Sequence, residues 1–373
     1  TTKPSHFSSP KLSIYHHANE NMILTDLNVH HVRSISSAKF KLHPRYNIFY
    51  GANGSGKTSL LEAIYLLGTG FSFRTRESGS LITYNQPSLT VFGRTDSDQT
   101  VSIQKSMAGV TLVRIDQQPC NRSSDLAHFL PCQIFYQDIF QIMDEGPSTR
   151  RSLLDWGLFH VKQSYHSLWK DYRRVIKQRN ALLRQKASQQ HLIPWNNQVV
   201  ELSYELDRLR TAYFDDWTDA FKKFLTQLTD VPCDIRYYKG WDKKQSGKDL
   251  ATILEEQLAS DMQAQYTHSG AHQADVLFEV SDLKAKQKLS RGQQKIILIA
   301  LKLAQAQLIQ KPCIYLFDDI AAELDAHHLQ RFFNCLEHVT GQFFLSATVQ
   351  DQFARFITTQ DSGCFTAKEG CFT

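Results

Sequence analysis

Alternation of apolar and polar positions sets in at Met22, where Ile23, Leu24, Leu27 and Val29 are followed by Phe40 and Leu42, a pattern that predicts a first pair of strands. Asn47-Ile48-Phe49-Tyr50 reads as a short apolar strand running into Gly51, and residues 59–67 then take helical spacing. Between 81 and 116 the chain breaks into short β-like pieces at 89–92, 100–103 and 110–115, separated by Gly93, Asp96-Ser97-Asp98 and Gly109, as in an antiparallel meander. From Gly146 to about Leu258 long helical windows follow, with Pro194 and Pro232 as punctuation and no sustained β pattern. From Val276 short strands return, notably at 313–317 and 342–345, next to helical runs such as 293–308. Strands that alternate with helices predict a largely parallel sheet. There is no internal repeat and no sustained heptad run, so a long coiled coil is not expected. Residues 1–21 read as a flexible polar tail without a secretory signal.

Composition narrows the class only modestly. The chain has 373 residues, enough for two or so domains, and its 42 Lys+Arg against 37 Asp+Glu leave a net charge of +5 that permits a phosphate-rich partner. The longest aliphatic run, 296–301, is far shorter than the ~20 residues a membrane-spanning helix needs. Seven cysteines without a C-x-x-C pair or metal-ligand spacing read as reduced thiols of a cytosolic chain. The adjacent pairs His30-His31 and His327-His328 point apart on a strand or helix and are not expected to chelate metal.

The chemistry is concentrated in three places. Gly51-Ala52-Asn53-Gly54-Ser55-Gly56-Lys57-Thr58, followed by Ser59, fits G-x-x-x-x-G-K-[ST] between a strand and a helix. Its glycines let backbone N–H groups wrap phosphate oxygens at the positive end of the new helix, Lys57 adds a point charge, and Thr58 offers a hydroxyl to Mg²⁺. The apolar strand 313–317 ends in Asp318-Asp319; Asp318 is placed to hold Mg²⁺ or its water, and Asp319 to orient or deprotonate the water that attacks the γ-phosphate. Leu289-Ser290-Arg291-Gly292-Gln293-Gln294 opens a helix whose dipole end, Ser290 hydroxyl and Gly292 amide suit a further phosphate.

These elements, together with Leu60-Leu-Glu-Ala-Ile-Tyr, Phe71-Ser-Phe-Arg-Thr-Arg, Gly146-Pro-Ser-Thr-Arg-Arg-Ser-Leu-Leu-Asp-Trp and Asp318-Asp-Ile-Ala-Ala-Glu-Leu-Asp, resemble the bacterial RecF family of recombination mediators from about Met22 to the C-terminus. The resemblance implies an α/β, two-lobed ABC/SMC-like P-loop ATPase head. Lobe I would comprise 22–135 and 301–373, and a mainly helical lobe II, 136–300, would carry the signature at 289–294. It further implies ATP and Mg²⁺ as cofactors, weak DNA-stimulated hydrolysis, an ATP-dependent homodimer on gapped DNA, and loading of RecA with RecO and RecR in the cytoplasm, at the nucleoid. In such dimers Ser290, Gly292 and Gln293 face the partner's nucleotide, and Arg291 and Asp325 lie at the same interface. At Gln137-Asp138 the chain departs from the Pro-Glu pair typical of the family, which manages without a Q-loop glutamine; Gln137 is a candidate for the role that glutamine has in general ABC ATPases. The chain departs from the family at Gly270-Ala271-His272-Gln273-Ala274-Asp275, where Ala271 and Gln273 replace a proline and a basic residue. A transporter ATPase subunit would share the phosphate loop and acids, but it usually has Ser-Gly-Gly-Gln in the signature and a histidine after the strand at 342–345, where Ser346-Ala347-Thr348 stand here. A clamp that traps ATP without useful turnover would have the same residues.

Between 160 and 187, Lys170, Arg173, Arg174, Lys177 and Arg184 share one helical face opposite Leu168, Tyr172, Val175, Ile176, Leu182 and Leu183, a stripe suited to DNA phosphates or simply to solvent. Arg179 falls on the apolar face and needs a buried partner. Residues 201–219 are acidic, with Arg208 and Arg210 as the exceptions, and would suit a basic partner protein. Arg74 and Arg76 are placed to reach nucleotide or DNA, or remain exposed loop arginines.

Overall fold

The computed structural model describes residues 22–280, 283–322 and 324–373; the tail read at 1–21 lies outside them. Two six-stranded sheets carry most of the strands. The first is antiparallel and runs in the order Ile35–Lys41, Leu24–Val32, Ser88–Thr95, Thr100–Ser106, Thr111–Ile115, Gln118–Pro119, which is the expected strand pair joined to the expected meander. The second runs Cys371–Phe372, Ser362–Lys368, Tyr46–Tyr50, Gly341–Ala347, Cys313–Phe317, Cys132–Phe135, and is parallel apart from the terminal hairpin strand.

Helix Lys57–Thr69 lies between the sheets, burying Leu60, Leu61, Ala63, Ile64, Leu66 and Leu67. Strand alternation assigns the rest. Phe49, Ile314, Leu316 and Phe344 join that helix and the antiparallel sheet in one core, whereas Ile48, Tyr315, Phe317, Phe343 and Leu345 join the core on the helical side. Strand Cys313–Phe317 is buried along its whole length, which accounts for its unbroken apolar sequence.

The second core is helical. Pro147–Val161, Tyr165–Arg184 and the 40-residue helix Gln189–Leu228 pack with Arg291–Leu308, and Trp217 Nε1 donates to Leu301 O at 3.0 Å. Three readings of the sequence need correcting here. Pro194 does not interrupt a helix but lies inside Gln189–Leu228, within the first two turns, where a missing N–H costs one hydrogen bond near a helix end. The stretch called helical contains strand Asp234–Tyr238, paired with Asp275–Val280 in a small antiparallel sheet completed by Leu283–Lys284. Its partner is distant in sequence, so its short pattern had no local support. The lobe boundary expected at 300/301 falls within the continuous helix Arg291–Leu308.

The basic helix docks as its spacing predicts. Tyr172, Val175 and Leu183 are buried, while Lys170, Arg173, Arg174, Lys177 and Arg184 are exposed. Arg179 and Asp261 are each 0% exposed, and Arg179 Nη1 reaches Asp261 Oδ2 and Thr267 Oγ1 at 2.7 Å, with Nε donating to Asn196 Oδ1 at 2.7 Å. In the acidic stretch Arg210 is not a surface charge. It is buried against Asp155, Tyr165 and Ala271 O, so the outer face is more acidic than its sequence suggests.

The departure at 270–275 is absorbed into a polar joint. Arg150 pairs with Asp275 through two bonds of 2.8 and 3.0 Å, Arg151 donates to Ala274 O at 2.8 Å, and His272 Nδ1 meets Tyr172 Oη at 2.7 Å. Burial holds the His272 imidazole down, at about 4, hence neutral at ordinary pH. Gln273 donates to Tyr266 Oη at 2.6 Å, an uncharged contact.

Candidate functional site

The phosphate loop begins where strand Tyr46–Tyr50 ends. A Cβ at Gly51 would meet Ala367 O at 2.2 Å, and Gly56, which caps helix Lys57–Thr69, has φ of 108°, so neither position takes another residue without strain. The C-terminal hairpin supports the loop, Gly370 N donating to Ser55 O at 2.9 Å. Lys57 folds back over the loop and donates to Gly51 O at 2.6 Å and Ala52 O at 2.9 Å. Burial lowers its pKa, an effect opposed by the nearby Asp318 and Asp319 carboxylates.

Asp318 and Asp319 arrive at the carboxyl edge of the same sheet, on the strand next but one. Thr58 Oγ1 donates to Asp318 at 3.1 and 3.0 Å, which ties the two motifs together across 260 residues of sequence. Ser346, at the end of the strand between them, completes the joint: its Oγ donates to Asp318 Oδ1 at 2.8 Å and accepts from the Asp319 amide at 2.7 Å. Asp319 has φ of 51°, rare for a residue with a side chain, and its carboxylate is exposed.

These groups line a cleft of about 380 Å³ together with Asn53, Gly54, Gly56, Ser59 and Gln137. Of the predicted set, Gly51 and Ala52 serve through the carbonyls that hold Lys57, and Ser55 is buried in the loop. Three side chains at the cleft were not assigned to it by sequence: Ser346, Lys295 and Thr348. Lys295 follows directly on the Ser-Arg-Gly-Gln-Gln run and is 2% exposed, so the signature helix contributes a cation to its own chain's cleft. Ser346 carried only the weak signal of a polar residue ending an apolar strand. Arg74, one of two loop arginines considered, does line the cleft, whereas Arg76 is not among the described lining residues.

The signature is elsewhere. Ser290, Arg291, Gly292 and Gln293 do not belong to the described lining of this cleft. Ser290 and Gln293 close a capping box, Gln293 N donating to Ser290 Oγ at 3.3 Å and Ser290 N to Gln293 Oε1 at 3.0 Å. Arg291 is engaged within its own chain, donating to Asp144 Oδ2 at 2.8 Å and lying 4.9 Å from the Phe140 ring centroid. Asp325 caps helix Ala326–Glu337 by accepting from His328 N at 2.8 Å, and its carboxylate pKa is lowered by that bond.

A parallel sheet that carries a phosphate loop on one strand and paired acids on the next but one, with a helical lobe opening on a signature helix, defines an SMC-like head of the P-loop ATPase class. Residues 23–372 match the RecF/RecN/SMC N terminal domain. A DNA replication and repair protein RecF of Shewanella baltica is 37% identical over 360 residues, covering 94% of this chain and 99% of its own, and that of Shewanella woodyi is 37% identical over 94% and 98%. The chain belongs to the RecF family of DNA replication and repair proteins. In fold it is similar to a solved structure of the recombination mediator protein RecF with ATP in the RecFOR pathway, with a TM-score of 0.80 at 21% identity over 95% of this chain and 99% of that one. An Smc head bound to the C-winged helix domain of ScpA gives 0.58 at 16% identity over 94% and 96%.

Proposed function

We propose that this chain is an ATP-dependent DNA-binding protein of recombinational repair that dimerises on ATP and helps load recombinase at single-strand gaps, with slow hydrolysis serving as a switch. The observation that carries the reading is the contact of Thr58 with Asp318 at the mouth of the phosphate loop. A hydroxyl and a carboxylate oxygen side by side are hard donors suited to Mg²⁺, which when bound neutralises phosphate charge. The loop amides and Lys57 take the phosphates, and Asp319 orients the attacking water. Gln137 links that site to the helical lobe.

Ser290, Gly292 and Gln293, exposed or half-exposed and outside their own cleft, are free to serve a second copy's nucleotide, with Arg291 and Asp325 along the same contact. Two residues argue against a transporter subunit: Arg291 fills the second signature position and is tied to Asp144, and Ser346 holds the paired acids together. The stripe Lys170, Arg173, Arg174, Lys177 and Arg184 offers sequence-independent contacts to DNA phosphates. The RecFOR pathway named for the ATP-bound structure supports RecR and RecO as partners. Action upstream of RecA, in the cytoplasm at the nucleoid, is part of the same proposal. No described helix is long and apolar enough to cross a membrane.

Light scattering with and without ATP-Mg²⁺, repeated on gapped duplex DNA at two salt concentrations, tests the reading. A monomer-to-dimer shift that DNA reinforces and salt weakens is expected; a chain that stays monomeric and ignores DNA contradicts it. Ser290→Arg is expected to bind ATP with wild-type affinity yet remain monomeric, and wild-type dimerisation by that variant would sink the trans-acting signature. Asp319→Asn is expected to dimerise and persist as a dimer, with steady-state phosphate release down by about a hundredfold or more.

A further inference from the structure

Glu62 stands one turn beyond Thr58 on the phosphate-loop helix, and its side chain is 1% exposed. Phosphate binding does not call for a carboxylate so close, because its charge opposes the ligand. Its oxygens are occupied from outside the helix. Arg33 Nη2 donates to Oε1 and Arg33 Nε to Oε2, each at 2.9 Å, and Ser72 Oγ donates to Oε1. The Ser72 oxygen in turn accepts from the amides of Arg74 at 2.9 Å and Thr75 at 3.1 Å. Glu62 therefore fastens two segments to the helix: the turn at Arg33, which also donates to Ser80 O at 2.7 Å, and the loop that bears Arg74.

Charge decides what this arrangement is for. One carboxylate faces two guanidinium groups. Arg33 takes it through a two-pronged bond, the stronger form of such pairs. Arg74 Nη1 lies 3.9 Å from Oε2, beyond hydrogen-bond distance, and its side chain is 47% exposed and lines the cleft. The anchor holds the Arg74 backbone in place, and its negative charge is shared between the close Arg33 pair and the longer, half-exposed Arg74 pair.

We propose that Glu62 is a positioning residue: through Ser72 and Arg33 it fixes the loop at 71–76 so that the half-exposed Arg74 guanidinium, only loosely paired with Glu62, is presented to an anionic oxygen of the bound nucleotide. The inference rests on the nucleotide reading of the cleft given above. Glutamine at 62 keeps the shape but removes the charge that holds Arg33 beside Arg74, so the two cations repel and the loop shifts.

Calorimetric titration of ATP-Mg²⁺ into the full chain and its Glu62→Gln, Arg74→Ala and doubly substituted variants reads this out. Each single change is expected to weaken binding roughly five- to tenfold, and the double variant to bind no more weakly than Arg74→Ala, because both act through one guanidinium. Hydrogen exchange without nucleotide is expected to speed at least about tenfold at the Arg74 and Thr75 amides of Glu62→Gln, while amides 60–64 stay protected. Should Glu62→Gln fail to fold, Ser72→Ala carries the same test, with an expected affinity loss of roughly two- to threefold. The proposal is overturned if Glu62→Gln melts earlier but binds ATP normally while folded, if the two losses multiply, or if the loop amides exchange as in the wild type. Wild-type affinity in Lys57→Met would instead remove the nucleotide reading, and the exchange experiment would still judge the anchor.

Discussion

Replacing Lys57 with methionine is expected to weaken ATP-Mg²⁺ binding by about a hundredfold or more, equivalent to roughly 2.7 kcal/mol. The ammonium group is already aimed, since Nζ is held over the loop by the carbonyls of Gly51 and Ala52. Lys57 is only 8% exposed, and burial works against its charge, as the lowered pKa records. A phosphate oxygen relieves that penalty, so the interaction is stronger than the same pair would be in water. Methionine matches the length of the stem and leaves the contacts of Thr58 and Ser346 with Asp318 in place, so the fold is expected to persist. Titration calorimetry checks the affinity, with the melting temperature as control. Binding within threefold of wild type would show that the cleft is not the nucleotide site.

The largest effect on stability is expected at Arg179→Met. Arg179 and Asp261 form an ion pair with both side chains at 0% exposure, and it fastens the basic helix to the segment 261–268. Removing one partner of a buried pair strands the other charge, at about 3–5 kcal/mol. Asp261 keeps bonds from the His268 amide at 3.1 Å and from His268 Nδ1 at 2.7 Å, which places the expected loss near the lower end of that range. The corresponding fall in melting temperature for a chain of this length is roughly 4–6 °C. Adding Asp261→Asn should restore part of it, because no full charge is then left buried, and thermal denaturation of the single and double variants measures this. A double variant as unstable as the sum of the two single changes would mean that the two residues act separately.

The legibility of this chain follows the reach of each signal. The phosphate loop could be read directly, because its strand, turn and helix are contiguous and all its fixed positions lie within one short run. The amphipathic face of Tyr165–Arg184 was equally plain, including the demand that Arg179 find a buried partner, because helix periodicity is local. Strand Asp234–Tyr238 and the interior position of Pro194 escaped for the converse reason. A short strand pairs with residues far along the chain, and a proline near a helix start gives the same local signal as a break.

Residue types and spacings were sufficient to place a phosphate loop, a pair of acids and a signature on one chain, and to say that strands and helices alternate around them. They could not say that Gly341–Ala347 lies between the other two strands, so Ser346 as the bridge to Asp318 was invisible until the sheet order was known. Nor could they show that Arg291 is tied to Asp144, that Lys295 turns into the cleft, or that Glu62 holds the Arg74 loop. The physical reason is common to all of these. A side chain's chemistry is carried by its own residue, but its partners are chosen by strand order and helix packing, which bring together positions that the chain itself keeps far apart.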